Sequence, residues 1–336
     1  MNQGKQLSLR CTHLYEHIST SFYMKHLYII GNGFDLHHGM QTKYIHFRDW
    51  LETNSPETLY LIEDLLCDSN SICSEKKLWK DFESNLANAV TSSIILEEIN
   101  GHLPDFGSDN FRDSEWFAAE HAIESRLDKA YIEILSAFQK WIEGIGDGDK
   151  AKLIKLENKD AAFLSFNYTD TLEKLYHIEE NILHIHGKAG QEDSDLIFGH
   201  GSSEEEIRNM LNRSFPIDME DGGSNGYITQ RAQEAAISVV YHKHKKVEQI
   251  LLSHKEWFES LKGISNIHIF GHSLGEVDRP YFDKVFSIVD RTKIAVEISD
   301  HNNENRATIA NFMRTESISK EQYSIVDLND LLIRDQ

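Results

Sequence analysis

The chain predicts an α/β protein, a Rossmann-like doubly wound parallel sheet with mostly helical insertions, and three observations carry that expectation. Leu27-Tyr-Ile-Ile30 is an unbroken apolar run that stops on Gly31-Asn-Gly33, the pattern of a strand covered on both faces rather than half-solvated. The same design of apolar run and then polar loop returns at Ala161–Phe166, Ile182–His186, Ile267–Phe270 and Ile294–Ile298. Between these runs lie segments whose apolar residues recur at helical spacing, and strands alternating with helices make a parallel sheet.

Taken in order, Thr42 is a fair N-cap for a helix carrying Tyr44, Phe47, Trp50 and Leu51 on one face. A second helix follows Pro56 through Leu66, a third spans Trp79 to Val90, and a long fourth runs from Phe117 to Trp141. With no strand signal between about residues 52 and 150, this block reads as a helical insertion. Asn167-Tyr-Thr-Asp-Thr-Leu-Glu173 leaves the second strand and opens a helix capped by Thr169 or Asp170. Leu196-Ile-Phe198 reads as a short strand, and residues 203 to 262 form a second, mostly helical insertion. Its Gly-rich break at Asp221–Gly226 suggests a mobile loop and a lid. A last helix runs from Tyr281 to about Val289.

Composition bounds the function. Hydrophobic residues at 40% and charged residues at 26% are ordinary for a globular protein, whereas a net charge of −21 disfavours general binding to nucleic acid. The best basic patch, His242-Lys-His-Lys-Lys246, reads as a solvated helix face. No apolar run approaches the roughly 20 residues of a membrane helix. The three cysteines, Cys11, Cys67 and Cys73, form no metal-type pair, which fits a reducing cytoplasm. Residues 1–23 are polar, and Met24 is a second candidate start, which would leave that arm outside a single domain of residues 24–336.

The loops at the strand ends carry Asn32, Asp35, Asn167, Asp170, His186 and Ser273, where open α/β sheets bind ligands. Gly31 and Gly33 would let a phosphate or ribose approach the backbone, and Asp35 would meet a ribose or cap the helix. Two rival chemistries use parts of this set. Gly271-His-Ser-Leu-Gly275 matches the Gly-x-Ser-x-Gly elbow of serine esterases, but only Asp300-His301 offers a downstream acid and histidine, and Pro280 falls where the elbow helix should still run. Among eighteen histidines, several stand at strand ends: His37, His38, His184, His186, His200 and His272. They lack any metal-binding spacing, and His184 and His186 would point to opposite faces of one strand, so no metal is expected.

One reading connects all the loops. Gly31-Asn-Gly-Phe-Asp-Leu36, Trp79-Lys-Asp-Phe-Glu83, Phe166-Asn-Tyr-Thr-Asp170, His184-Ile-His-Gly187 and Gly271-His-Ser-Leu-Gly-Glu-Val-Asp278 resemble, in order, the AbiH abortive-infection family of phage defence. The resemblance spans about residues 25 to 315. That family is in turn similar to SIR2-like NAD-cleaving domains, which implies a SIR2-like fold with NAD as substrate. The resemblance then implies Gly31 and Gly33 as the phosphate turn, Asn167 as the catalytic asparagine, His186 as the catalytic histidine, and Gly271 and Ser273 on the ribose loop. The chain departs by placing Asn32 between the glycines where SIR2 domains have alanine, and Asp35 where they have a small residue. Asp170 is separated from Asn167 by two residues rather than the usual one, and zinc cysteines are missing, which argues against peptide deacylation. His186, titrating near neutrality, would accept a proton from a ribose or water, and Tyr168 and Trp79 would pack.

The expectation is a cytoplasmic NAD glycohydrolase acting as an antiphage effector and held off until infection by a phage-derived trigger, a partner protein or homo-oligomerisation. The alternatives are a non-catalytic nucleotide-binding sensor and a serine esterase.

Overall fold

A computed structural model describes residues 24–67, 75–190, 196–216, 223–301 and 304–333. Six parallel strands form one sheet: β1 (His26–Ile30), β2 (Ala161–Ser165), β3 (Ile182–His184), β4 (Asn266–Phe270), β5 (Ala295–Ser299) and β6 (Tyr323–Val326). Their order is β3-β2-β1-β4-β5-β6, with β1 paired in parallel to both β2 and β4. The apolar runs have a direct explanation. In β1, Leu27 and Ile29 enter the core on one face of the sheet, with Ala162, Leu164, Ile267 and Ile269. Tyr28 and Ile30 enter the core on the other face, with Phe163 and Phe270. Both faces are covered, so alternation is lost and every position is apolar.

Fourteen α-helices lie among the described residues. Between β1 and β2 run α1 (Asn32–His37), α2 (Tyr44–Asn54), α3 (Pro56–Leu66), α4 (Glu75–Lys80), α5 (Phe82–Asn85), α6 (Ser93–Gly101) and α7 (Ala118–Glu143). After β2 comes α8 (Thr171–Tyr176), and between β3 and β4 lie α9 (Glu204–Ser214), α10 (Ser224–His242), α11 (Val247–Ser253) and α12 (Lys255–Glu259). The last two are α13 (Arg279–Ile288) and α14 (Arg306–Thr315). Helix α7 buries Ile123, Leu127, Ala130, Ile134, Phe138 and Trp141, a stripe at three- and four-residue spacing. It packs along α10, so the two insertions build one helical cap with its own core.

Several local expectations change. The third helix is divided into α4, α5 and a 3₁₀ stretch, Leu86–Thr91. Lys43 rather than Thr42 is the N-cap of α2, because Thr42 is buried and its carbonyl is taken by Asn32 Nδ2 at 3.0 Å. Leu196–Phe198 is not a strand: Leu196 packs into the cap core, and Ile197 N–H donates to the His186 carbonyl at 2.9 Å. Helix α10 runs through Gly226, while residues 221 and 222 of the expected loop lie outside the described residues. So do the arm 1–23, Cys11 and Cys73. The basic patch is not a solvated helix face. Helix α10 ends at His242, and the following turn buries Lys245.

Candidate functional site

The strand order reverses between β1 and β4, and at their carboxyl ends the two following loops pack backbone against backbone. Gly33 N–H donates to the Gly271 carbonyl at 2.7 Å, and Gly31 N–H to the Phe270 carbonyl at 2.9 Å. A Cβ on Gly31 would meet His272 Cα at 2.6 Å, and one on Gly271 would meet Phe34 N at 2.0 Å. Gly271 also sits at φ +69°, where a side chain is strained. The glycines thus let two loops cross. The Gly31 and Gly33 N–H groups are committed to that crossing and the Gly271 N–H to Ser299 Oγ at 2.8 Å, while Gly31, Asn32, Gly33, Gly271 and Ser273 line the cleft it borders. The cleft, about 1220 Å³, opens between the sheet edge and the helical cap.

From β2, Asn167 projects across this crossing. Its Nδ2 donates to the Gly31 carbonyl at 3.1 Å, and its backbone N–H to Ser165 Oγ at 3.2 Å. Asp35 lies beneath it at 1% exposure, its carboxylate accepting from Thr169 Oγ1 at 2.6 Å and Thr171 Oγ1 at 2.7 Å. Burial pushes that carboxyl up to about 6, against the hydrogen bonds from Thr169, Thr171 and Asn167. Because Gly31 and Asp35 use the amide hydrogens, Asn167 offers its Oδ1 as an acceptor. Asp35 is therefore a buried anchor that orients Asn167.

His186 follows β3 and is 3% exposed. The expected titration near neutrality does not hold: burial first, then the charge of Lys245, push it down to about 3, so the ring is neutral at physiological pH. The Phe166 backbone, which favours the protonated ring, accepts from it. Nε2 has no hydrogen-bond partner among the described residues, so Nδ1 makes that bond and Nε2 carries the lone pair. Nε2 faces Asp278 Oδ1 at 3.7 Å. The other carboxylate oxygen, Oδ2, lies 3.4 Å from His272 Nε2. Leu274 N–H donates to His272 Nδ1 at 2.9 Å, which places the ring hydrogen on Nε2, toward Asp278. Burial would raise the Asp278 pKa, but His272, His186 and Lys245 hold it below the usual carboxylate range. The ring of Phe166 packs edge-on against His186 and His272, at centroid separations of 5.4 and 4.5 Å.

The cap supplies the other wall. Lys245 Nζ reaches Glu83 Oε2 at 2.5 Å, and Glu83 Oε1 accepts from Tyr44 and, at 3.2 Å, from Tyr168. Trp79 is buried and stacks on Phe82 at 4.8 Å. Tyr168 and Trp79 pack, as expected, while both border the cleft.

Most of the residues singled out in the sequence therefore meet in one place: Gly31, Asn32, Gly33, Asp35, Asn167, His186, Gly271 and Ser273. Asp170 does not join them. It lines an adjoining recess of about 580 Å³ and pairs with Lys174 at 3.3 Å. Ser273 is exposed, and the positive φ belongs to Leu274 rather than to the serine. A 3₁₀ turn, Glu276–Asp278, follows before α13 starts with Pro280 in its first turn, so the strand–serine–helix elbow is not formed. His38 and His200 are held in the structure, by the carbonyls of Phe34 and Val240. His184 turns to Glu173 at 3.0 Å, away from His186. No group of three potential metal ligands occurs among the described residues.

Sequence reasoning did not assign site roles to Asp278, His272, Lys245, Glu83 or Thr171, and it took Thr169 only as a candidate helix cap. Asp278, His272 and Glu83 lay inside quoted motifs, which was signal enough to consider them. Lys245 stood in the basic patch but read as solvated, since its burial depends on a distant glutamate.

A search of curated proteins finds no match to this chain. A family model described as bacteriophage abortive infection AbiH matches residues 27–300, from β1 to just past β5. The chain belongs to the bacteriophage abortive infection AbiH family.

Proposed function

We propose that the cleft hydrolyses the nicotinamide–ribose bond of NAD, and that loss of NAD is the toxic step of an abortive-infection response. The observation that carries this reading is that Asn167 and His186, from successive strands, open into one cleft beside an anionic Asp278. When the C1′–N bond breaks, its electron pair leaves on nicotinamide and positive charge develops on the ribose. Such a transition state is favoured by oriented acceptors and a nearby carboxylate. Water then bonds to C1′, and its proton passes through the acceptors to solvent. Asn167 Oδ1 is placed to hold that water or a ribose hydroxyl, while His186 stays neutral and accepting over the physiological range. The SIR2-like resemblance read from the sequence motifs supports the same two residues.

Incubation with NAD, with free nicotinamide followed by chromatography, tests the reading. Wild type should release nicotinamide, and Asn167→Ala and His186→Ala should each reduce release by about 100-fold or more, in the range expected for removing an electrostatic or acid–base group. Full turnover in either folded variant would defeat the mechanism.

A further inference from the structure

Two buried acceptors face each other across the floor of the cleft with nothing donating to them among the described residues. His186 Nε2 and Asp278 Oδ1 are 3.7 Å apart, and each is without a hydrogen-bond partner there. Burying polar atoms unsatisfied is costly, so such a pair calls for a ligand that brings donors. A single hydroxyl has one hydrogen and satisfies one acceptor. A cis-diol has two hydrogens on adjacent carbons and satisfies both. The carboxylate is also held in place: His272 Nε2–H faces Oδ2 at 3.4 Å, and the Leu274 N–H fixes that ring through Nδ1. The third wall is Tyr281, whose hydroxyl is also unpartnered among the described residues and whose ring lies 5.9 Å from that of His186.

Resting on the hydrolase reading above, we propose that Asp278 is a further catalytic residue, which with His186 takes the two hydroxyls of the nicotinamide ribose and sets its charge against the cation developing at C1′. His272 is its positioning residue. Asp278 gains and loses no atom in the step: its share is two hydrogen-bond geometries and one fixed negative charge. The held-down pKa of Asp278 agrees, since the group remains charged throughout the working range. The slot makes the free diol a requirement, because an analogue lacking it leaves both acceptors buried and unpaired.

The test pairs turnover with binding. Nicotinamide release is measured for wild type, Asp278→Asn, His272→Ala and His272→Gln. Binding of NAD and of its analogue lacking both nicotinamide-ribose hydroxyls is measured by calorimetry on wild type and Asp278→Ala, with folding checked by circular dichroism. Asp278→Asn should lose 100-fold or more in kcat with KM within about threefold. His272→Gln, which keeps a side-chain N–H, should recover most of the rate lost in His272→Ala. Wild type should prefer NAD over the analogue by at least tenfold, and Asp278→Ala should lose most of that preference, keeping only what His186 contributes. Equal binding of the two ligands by wild type, or Asp278→Asn turning over within threefold of wild type, overturns the inference alone. A diol preference with no nicotinamide released by wild type overturns the hydrolase reading and leaves the ribose slot standing, and no binding of NAD overturns both.

Discussion

Asp35 shows how one buried side chain couples the site to stability. Both oxygens are held by threonine hydroxyls, yet the carboxyl titrates near 6 instead of its ordinary 3.8, because burial penalises the charge more than the hydroxyls repay. A group whose pKa is higher in the folded than in the unfolded state holds its proton more tightly when folded. Its contribution to stability therefore declines as pH rises from about 4 to about 6 and stays unfavourable above that. Asp35→Asn removes the ionisation, so the stability of wild type relative to this variant should fall across that window. The size is on the order of 2 kcal/mol. Thermal melts of both proteins between pH 4 and 7 check this, and a constant difference at all pH values would contradict it.

At the scale of elements, the Lys245–Glu83 pair joins the two insertions. Lys245 sits in the turn after α10 and Glu83 in α5, and only 5% and 16% of their side chains are exposed. Removing one partner of a buried pair strands the other charge. Lys245→Ala should therefore cost about 3 to 5 kcal/mol in urea unfolding, and Lys245→Met with Glu83→Leu should recover much of the loss. If the single variant is as stable as wild type, the pair does not hold the cap. The turn carrying Lys245 is itself tied down by its N–H, which donates to the His200 carbonyl at 2.8 Å.

Across the whole molecule, the sheet and the cap have separate apolar cores and meet at the cleft. A nucleotide bound there would touch both, and its binding would stabilise the two together. NAD at about 100 times its Kd should add about 2.7 kcal/mol and raise the melting temperature by a few degrees. A melting curve unchanged by millimolar NAD would count against nucleotide binding in this cleft. The net charge of −21 acts at the same scale, since an anionic ligand enters against the overall field.

The sheet was legible because its strands are covered on both faces, which forces unbroken apolar runs such as Leu27–Ile30. Strand β6 was missed because Tyr323 and its neighbours, on the sheet edge, are only partly buried and carry no such run. Helices α3 and α7 were legible from periodic stripes, whereas the division of α4 from α5 was not, since it follows from packing around Phe82 and Trp79. Asn167, His186 and the glycines were legible as residues of unusual type at strand ends. Their order along the chain also carried the family. Burial and long-range pairing were decided only by the tertiary structure. They turned His186 from a near-neutral titrating group into an acceptor that is neutral at physiological pH, buried Lys245 against Glu83, sent Asp170 to another recess and set Asp278 opposite His186. Desolvation and charge pairing depend on what surrounds a side chain, and the partners here lie up to 162 residues apart along the chain, as with Lys245 and Glu83.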